Sequence, residues 1–129
     1  MSTLTFYRRV IDETGETNRE VVKRGTAAVL HALRDRLTPE EARQAVAQLP
    51  RDLKLVWKEG EAPGRKPVKL SRKEFYDRVK SEAGLVSTRE ARFMTIGVFT
   101  ALKAQLSPGE ADDILAQLPS DLKEIWEAA

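Results

Sequence analysis

Residues suited to catalysis are scarce in this chain of 129 amino acids, which has no cysteine and one histidine, His31. Nucleophilic catalysis pairs a base with a serine, cysteine or lysine, and a metal site needs several ligands. The sequence has no such partnered motif, no glycine-rich phosphate loop and no paired-histidine metal spacing. We therefore expect a protein that is not an enzyme and holds no cofactor, with His31 a partly buried or surface residue of a helix.

Two pairs of neighbouring carboxylates are the next candidates for chemistry, Glu40 with Glu41 and Asp112 with Asp113. Carboxylates that bridge a metal in a helical bundle are accompanied by Glu-x-x-His motifs, and the sequence has none. Each pair lies near the start of a predicted helix, where the positive end of the helix dipole stabilises negative side chains. The sequence therefore predicts residues that start helices, and no metal site.

A basic run is the most prominent polar feature of the chain. It consists of Arg65, Lys66, Lys69, Arg72 and Lys73, with no acidic residue between positions 62 and 73. Such a run can contact phosphates, so nucleic-acid binding through this segment is one hypothesis. The formal net charge of only +2 and the lack of a helix-turn-helix spacing favour a solvated loop instead.

The helices that position these residues belong to a sequence pattern that occurs twice in the chain. Residues 37–57 contain Leu-Thr-Pro, then Ala-Gln-Leu-Pro-Arg-Asp-Leu-Lys, and end at Trp57. Residues 106–126 contain Leu-Ser-Pro, then Ala-Gln-Leu-Pro-Ser-Asp-Leu-Lys, and end at Trp126. The offset of 69 residues holds without a gap from Phe6 onwards, and 22 of the 52 aligned positions are identical. We interpret this as a duplicated unit.

Apolar residues recur at helical spacing, and no segment alternates with the period of a strand, so eight helices are predicted. They cover about residues 2–13, 17–37, 38–49, 51–58, 72–83, 88–106, 108–117 and 120–128. Capping boxes, in which a glutamate follows the cap by three residues, are predicted at Thr17, Ser71, Ser87 and Ser107. In the first helix, the apolar residues at helical spacing are Leu4, Tyr7, Val10 and Ile11.

The predicted fold class is therefore all-α, with the eight helices forming two four-helix units. Helical repeat 1 is assigned to residues 1–58, a basic linker rich in proline and glycine to 59–71, and helical repeat 2 to 72–129. We expect the two repeats to form one domain about an internal twofold axis, with the long helices packed against each other.

The second long helix differs from the first, because residues 93–99 are almost entirely apolar. A helix that is apolar on most sides is buried on most sides, so this one is expected to lie centrally or to meet a partner. Phe93 and Met94 are the candidate interaction residues. Trp57 and Trp126, at equivalent positions, are expected to close the cores of their units.

With its two Leu-(Ser/Thr)-Pro motifs and the Ala-Gln-Leu-Pro-x-Asp-Leu-Lys sequences at 47–54 and 116–123, the chain resembles a known family. It is similar, over about residues 4–128, to DUF2267, a family of bacterial proteins of unknown function with two helical repeats. The resemblance implies a helical fold and a bacterial, cytoplasmic protein. It implies no catalytic or binding residues.

Three hypotheses for function follow. The first is a non-enzymatic module that binds another protein or a second copy of itself. The second is a nucleic-acid-binding accessory protein that uses the basic linker, and the third is a helical protein with a small-ligand pocket lined by both units. No membrane partner is expected, since no signal-peptide pattern and no apolar run of roughly 18 residues is present.

Overall fold

The computed structural model describes residues 2–129 and contains eight α-helices within that range. They are α1 Thr3–Thr14, α2 Arg19–Arg36, α3 Pro39–Ala47, α4 Arg51–Lys58, α5 Arg72–Ala83, α6 Thr88–Gln105, α7 Pro108–Gln117 and α8 Ser120–Ala128. The described residues include no strand, so the prediction of an all-α protein with eight helices is confirmed. Across this same range, none of the helices combines the length and apolar character needed to cross a membrane.

Most helices begin where the sequence predicts. The side chain of each serine cap accepts a hydrogen bond from the backbone N–H three residues ahead, at Ser71, Ser87 and Ser107. The predicted cap of α2 is wrong, because Asn18 rather than Thr17 occupies that position and its side-chain oxygen accepts from the backbone N–H of Glu20. Asn18 lies one residue closer to the first helical turn, and a short amide side chain caps as well as a hydroxyl.

The two halves of the chain are interwoven. α1 packs mainly against α6, and α5 packs mainly against α2, so the first helix of each half lies on the long helix of the other half. α2 and α6 also contact each other. Each helix of the second half begins 69 residues after its counterpart in the first, in the pairs α1/α5, α2/α6, α3/α7 and α4/α8. Because of the exchange, neither half encloses its own core.

α6 lies at the centre, as its apolar sequence predicts, in contact with α1, α2, α5 and α8. Gly97 permits the close approach of α1, since a Cβ atom there would lie 2.6 Å from the side chain of Thr14. Trp57 and Trp126 are both buried in the core. Phe99 of α6 packs edge-on against Trp126, with ring centroids 5.0 Å apart.

Each long helix also caps the last helix of its own half. Nη1 of Arg34, in α2, donates hydrogen bonds to two carbonyl groups at the C-terminal end of α4, at 2.7 and 2.6 Å. At the equivalent position of α6, Nζ of Lys103 donates to two carbonyl groups at the end of α8, at 2.8 and 2.9 Å. A cation at a helix C-terminus also interacts favourably with the helix dipole, so both contacts stabilise the short terminal helices.

Candidate functional site

The first turns of α3 and α7 bring together acidic side chains from the two halves. The helices contact each other, and Glu41 and Glu110 follow the caps Thr38 and Ser107 by three residues. The two glutamates are buried, at 5% and 6% exposed. One oxygen of each, together with one from the exposed Asp113, lie within 4.8 Å of one another. We call these three residues the carboxylate cluster.

A pair of glutamines explains why the buried glutamates turn away from their own helix caps. In a capping box the third-position glutamate accepts a hydrogen bond from the backbone N–H of the cap residue. Here Oε1 of Gln48 accepts that bond from Ser107 at 2.7 Å, and Oε1 of Gln117 accepts it from Thr38 at 2.9 Å. The second bond of the capping box predicted at Ser107 is therefore absent from the described residues, and Glu110 faces the other half.

The two repeated motifs thus bind each other across the halves. The glutamine of each Ala-Gln-Leu-Pro sequence also donates to a cap hydroxyl of the opposite half, from Gln48 to Ser107 and from Gln117 to Thr38, each at 3.3 Å. The sequence shows both motifs, but nothing in their linear spacing shows that a glutamine of one reaches the serine or threonine of the other. The carboxylate cluster was missed for the same reason.

Burial and mutual repulsion keep protons on the cluster. Desolvation, followed by the charge of Glu41, raises the pKa of Glu110 to about 7. Burial also raises the pKa of Glu41, against the opposing hydrogen bond with Glu110 and with added repulsion from Asp113 and Glu40. Below about pH 7 the carboxyl group of Glu110 therefore keeps its proton and donates it in a hydrogen bond to Glu41.

Glu110→Gln is expected to raise the free energy of unfolding at pH 8 by about 1–3 kcal/mol. The pKa of Glu110 is about 7 in the folded protein against 4.5 for the free side chain, so the folded state binds more protons between these values. The stability linked to this group is complete below about pH 4.5 and is lost as the pH rises through 7. Urea unfolding at pH 5 and pH 8 in the presence of EDTA measures the difference.

The matched control for this experiment is Asp112→Asn, which removes an exposed carboxylate of the same helix that lies outside the cluster. It is expected to leave the pH dependence of the wild-type protein unchanged. Equal stabilities of the wild-type protein and Glu110→Gln at pH 8 would contradict the assignment of a proton to this pair.

His31 bridges three helices, α2, α4 and α5. Its Nδ1 lies 2.7 Å from a carboxylate oxygen of Glu82 in α5, and its Nε2 lies 2.6 Å from the carbonyl oxygen of Val56 in α4. Both nitrogens of the buried ring are engaged, which accords with the structural role expected from the sequence.

The basic linker is anchored to the C-terminal end of α2 and contains an ion pair of its own. Arg65 is nearly buried, with Nε 2.9 Å from the carboxylate of Glu61 and Nη1 donating to the carbonyl oxygen of Leu37 at 2.7 Å. The backbone N–H of Val68 donates to the carbonyl oxygen of Asp35 at 2.8 Å. Arg65 therefore acts as an anchor of the linker and presents no charge to a partner.

The other four basic residues of the run are divided between ion pairs and solvent. Lys73 pairs with Asp77 at 3.1 Å, and the guanidinium of Arg72 lies 3.9 Å from Glu124. The remaining two are exposed and form no ion pair within residues 2–129: Lys66 and Lys69. The structure thus does not bring the five residues together as one binding surface.

The two candidate interaction residues of α6 differ in their exposure to solvent. Phe93 is 46% exposed, and the guanidinium carbon of Arg89 lies over its ring, 5.4 Å from the centroid. Met94 is only 4% exposed and packs on α2 where Gly25 leaves space, since a Cβ at Gly25 would lie 2.6 Å from the methionine side chain. Met94 is therefore a core residue, and only Phe93 is available to a partner.

An apolar groove of about 380 Å³ runs along α1 beside α2 and the start of α4. Its apolar lining includes Leu4, Tyr7, Ile11 and Val22, and its charged lining is Arg8, Arg19, Lys23 and Asp52. The sequence indicates one apolar side for α1, but the core takes Phe6 and Val10, while Leu4 remains 57% exposed. The groove was missed because helical spacing alone does not show which of two adjacent apolar stripes the core covers.

The second half provides an internal comparison for this groove. At the positions equivalent to Leu4 and Ile11, α5 has Lys73 and Lys80. α5 is nevertheless a complete helix that packs on α2 as α1 packs on α6. The helix and its packing therefore do not require apolar side chains at the positions of Leu4 and Ile11.

The fold and these surfaces define a helical protein of two interwoven four-helix halves whose reciprocal contacts are made by repeated motifs. The family profile described as an uncharacterized conserved protein, DUF2267, matches residues 3–125. The chain belongs to the DUF2267 family, as its resemblance predicts. Among curated proteins, none matches the chain.

Proposed function

We propose that this protein is a non-enzymatic interaction module whose apolar groove binds an acidic amphipathic helix of a partner protein. The observation that carries the proposal is the groove on α1, with its exposed Leu4 and a lining of three basic residues and one acidic residue. The second half folds without these apolar residues, which supports a role outside folding. The bacterial, cytoplasmic setting implied by the family resemblance is part of the proposal.

The chemistry of the groove supports a helical and acidic occupant. An amphipathic helix places apolar side chains three and four residues apart along one face, which suits a groove that runs between helices. The cations Arg8, Arg19 and Lys23 outnumber Asp52 on the lining, so acidic residues on the flanks of the helix would be attracted. These charges would raise the association rate and exclude basic partners more than they add affinity.

A second copy of this chain is a less favourable occupant. Exposed acidic residues do occur in its second half, in α7 and α8. Their docking into the groove of α1 would join two different surfaces, and such a contact generates rings or open filaments. Sedimentation velocity over a wide concentration range distinguishes a second copy from another protein as the occupant. Larger species that form at high concentration, and only when the groove is intact, would contradict the proposal that the occupant is another protein.

Nucleic-acid binding is the less favoured hypothesis for the function, because three of the five residues of the basic run contact acidic groups within the chain. The affinity of nucleic-acid binding grows with the number of phosphates neutralised, and two lysines give only weak contacts that depend strongly on salt. Lys66→Glu with Lys69→Glu tests this alternative. The same double variant is also a control for the groove, from which both residues are absent.

Leu4→Lys with Ile11→Lys is expected to weaken partner binding at least about tenfold, because it removes the exposed Leu4 and the half-buried Ile11 from the apolar lining of the groove. Each change installs the residue found at the equivalent position of the second half, so the free energy of unfolding is expected to fall by no more than about 1–2 kcal/mol, mainly through the partly buried Ile11. Helical peptides selected from a displayed library on the wild-type protein, with counter-selection on the double variant, are the probe. Enriched peptides should be acidic, with apolar residues at helical spacing.

The charged residues of the groove give a second readout in the same assay. Arg19→Glu with Lys23→Glu should weaken the selected acidic peptides about tenfold and remove most of the salt dependence of their binding. Lys66→Glu with Lys69→Glu should leave that binding unchanged. Enrichment of neutral or basic peptides, or equal binding to the wild-type protein and the Leu4→Lys, Ile11→Lys variant, would contradict the proposed function. Preference for small apolar anions over every peptide would favour the ligand-binding hypothesis.

A further inference from the structure

The carboxylate cluster places three acidic groups together without a neutralising side chain. Within residues 2–129, no lysine, arginine or histidine nitrogen lies within 4.0 Å of Glu41, Glu110 or Asp113. A buried carboxylate without a cationic neighbour either keeps a proton, as Glu110 does below about pH 7, or binds a metal ion, because removing its charge from water is unfavourable. We propose that this cluster is a divalent-cation site of the kind that binds Ca²⁺.

A second observation, separate from the charge of the cluster, points to a ligand. The Oε2 atom of Glu110 is fully buried, and apart from the contact of its carboxyl group with Glu41 no donor within residues 2–129 reaches it. Glu110 itself is more than nine-tenths buried. A buried acceptor without a donor is unfavourable, so such atoms in folded proteins usually have a partner such as an ion or an ordered water. A cation between the three carboxylates would supply that partner.

The spacing of the oxygens favours Ca²⁺ over Mg²⁺. Ca²⁺ binds oxygen at about 2.3–2.6 Å, so two ligands on opposite sides of the ion lie up to about 4.6–5.2 Å apart. Mg²⁺ binds at about 2.0–2.1 Å, which limits the same separation to about 4.2 Å. The cluster oxygens lie within 4.8 Å of one another, a span that Ca²⁺ fits with little movement. Carboxylate oxygens are also the hard ligands that this ion prefers.

The position of the cluster suits an ion that enters from solvent. Glu41 and Glu110 are buried, whereas Asp113 is exposed and marks the open side of the site. Ca²⁺ takes six to eight oxygen ligands, so water molecules on that side would complete the shell begun by three carboxylates. The first half has Gln44 at the position equivalent to Asp113, so the second half contributes two ligands and the first half one. The ion would join α3 to α7.

Calorimetric titration of the metal-free protein with CaCl₂ at about pH 8, above the pKa of about 7 of Glu110, tests the proposal directly. One saturable site is expected, with a dissociation constant of about 10⁻⁴–10⁻³ M, and MgCl₂ should bind at least about tenfold more weakly. The thermal midpoint should rise with CaCl₂ and return to its starting value with EDTA. Asp113→Asn should weaken Ca²⁺ binding at least about tenfold, whereas Asp112→Asn should not.

Because Asp113 is exposed, its variant is expected to fold, and far-ultraviolet circular dichroism checks this. A second measurement needs no variant: Mn²⁺ should broaden amide resonances in the first turns of α3 and α7 before others. No saturable Ca²⁺ binding up to about 10 mM, binding unchanged by Asp113→Asn, or Mn²⁺ broadening elsewhere would each overturn the proposal. Leu4→Lys with Ile11→Lys should leave Ca²⁺ binding intact. The proposal of a Ca²⁺ site and the proposal of a peptide-binding groove can therefore be tested independently.

Discussion

Arg34→Ala is expected to lower the free energy of unfolding by about 3–5 kcal/mol, the largest effect we anticipate for a single substitution. The Arg34 side chain is only 2% exposed and makes three hydrogen bonds, two to carbonyl groups at the end of α4 and one to Asp35 at 2.8 Å. Removing it leaves the two carbonyl groups without this donor, while Asp35 keeps its hydrogen bond from Arg78. Burial opposes the charge of Asp35, and hydrogen bonds from Arg34 and Arg78 outweigh that effect and hold its pKa below the usual value.

Arg34→Lys is the matched control, because Lys103 caps α8 from the equivalent position with a single ammonium group. The lysine variant should keep most of the cap of α4 and lose mainly the contact with Asp35, at a cost of about 1–2 kcal/mol. Urea unfolding followed by circular dichroism measures both variants. Equal losses for the alanine and lysine variants would show that the carbonyl cap contributes little.

Leu102→Ala is expected to lower the free energy of unfolding by about 2–5 kcal/mol. Leu102 is buried in α6, the helix that contacts helices of both halves, so the cavity it leaves cannot close by movement of one neighbour. Chemical denaturation at neutral pH measures the change. The spread of the range reflects how far the surrounding side chains relax into the space.

Phe93→Ala is the control in the same helix. It removes a larger side chain, but Phe93 is half exposed and packs mainly beneath the guanidinium of Arg89, so a loss of about 1 kcal/mol or less is expected. A loss for Phe93→Ala that equals the loss for Leu102→Ala would contradict the assignment of buried and exposed sides to α6.

Much of the fold can be predicted from the sequence because its signals are local. Prolines, glycines and serine caps mark the ends of the helices, and the apolar residues 93–99 indicate that α6 is central. Thr17 and Asn18 are adjacent and both residue types cap helices, so the sequence alone does not decide which of them begins α2. The prediction of Thr17 is wrong, because Asn18 is the cap. Such errors shift a helix start by one residue and leave the architecture unchanged.

The candidate sites were not predictable in the same way, because they depend on contacts between distant segments. Gln48 takes the hydrogen bond that a local capping box would give to Glu110, and only this exchange turns the glutamate towards Glu41. Met94 is buried because Gly25 of the other half makes space for it. A sequence pattern shows which residues are apolar or charged, but the partner that buries or pairs them is set by tertiary packing.

The exchange of α1 and α5 between the halves has a consequence for the order in which the molecule folds. α1 is synthesised first, yet its main partner is α6, which begins at Thr88. Contacts between segments so far apart in the chain form slowly, because a long loop must close before they stabilise anything. During synthesis the apolar side of α1 therefore stays unprotected until most of the second half has left the ribosome. The synthesis of α6 thus determines when α1 becomes resistant to aggregation and proteolysis.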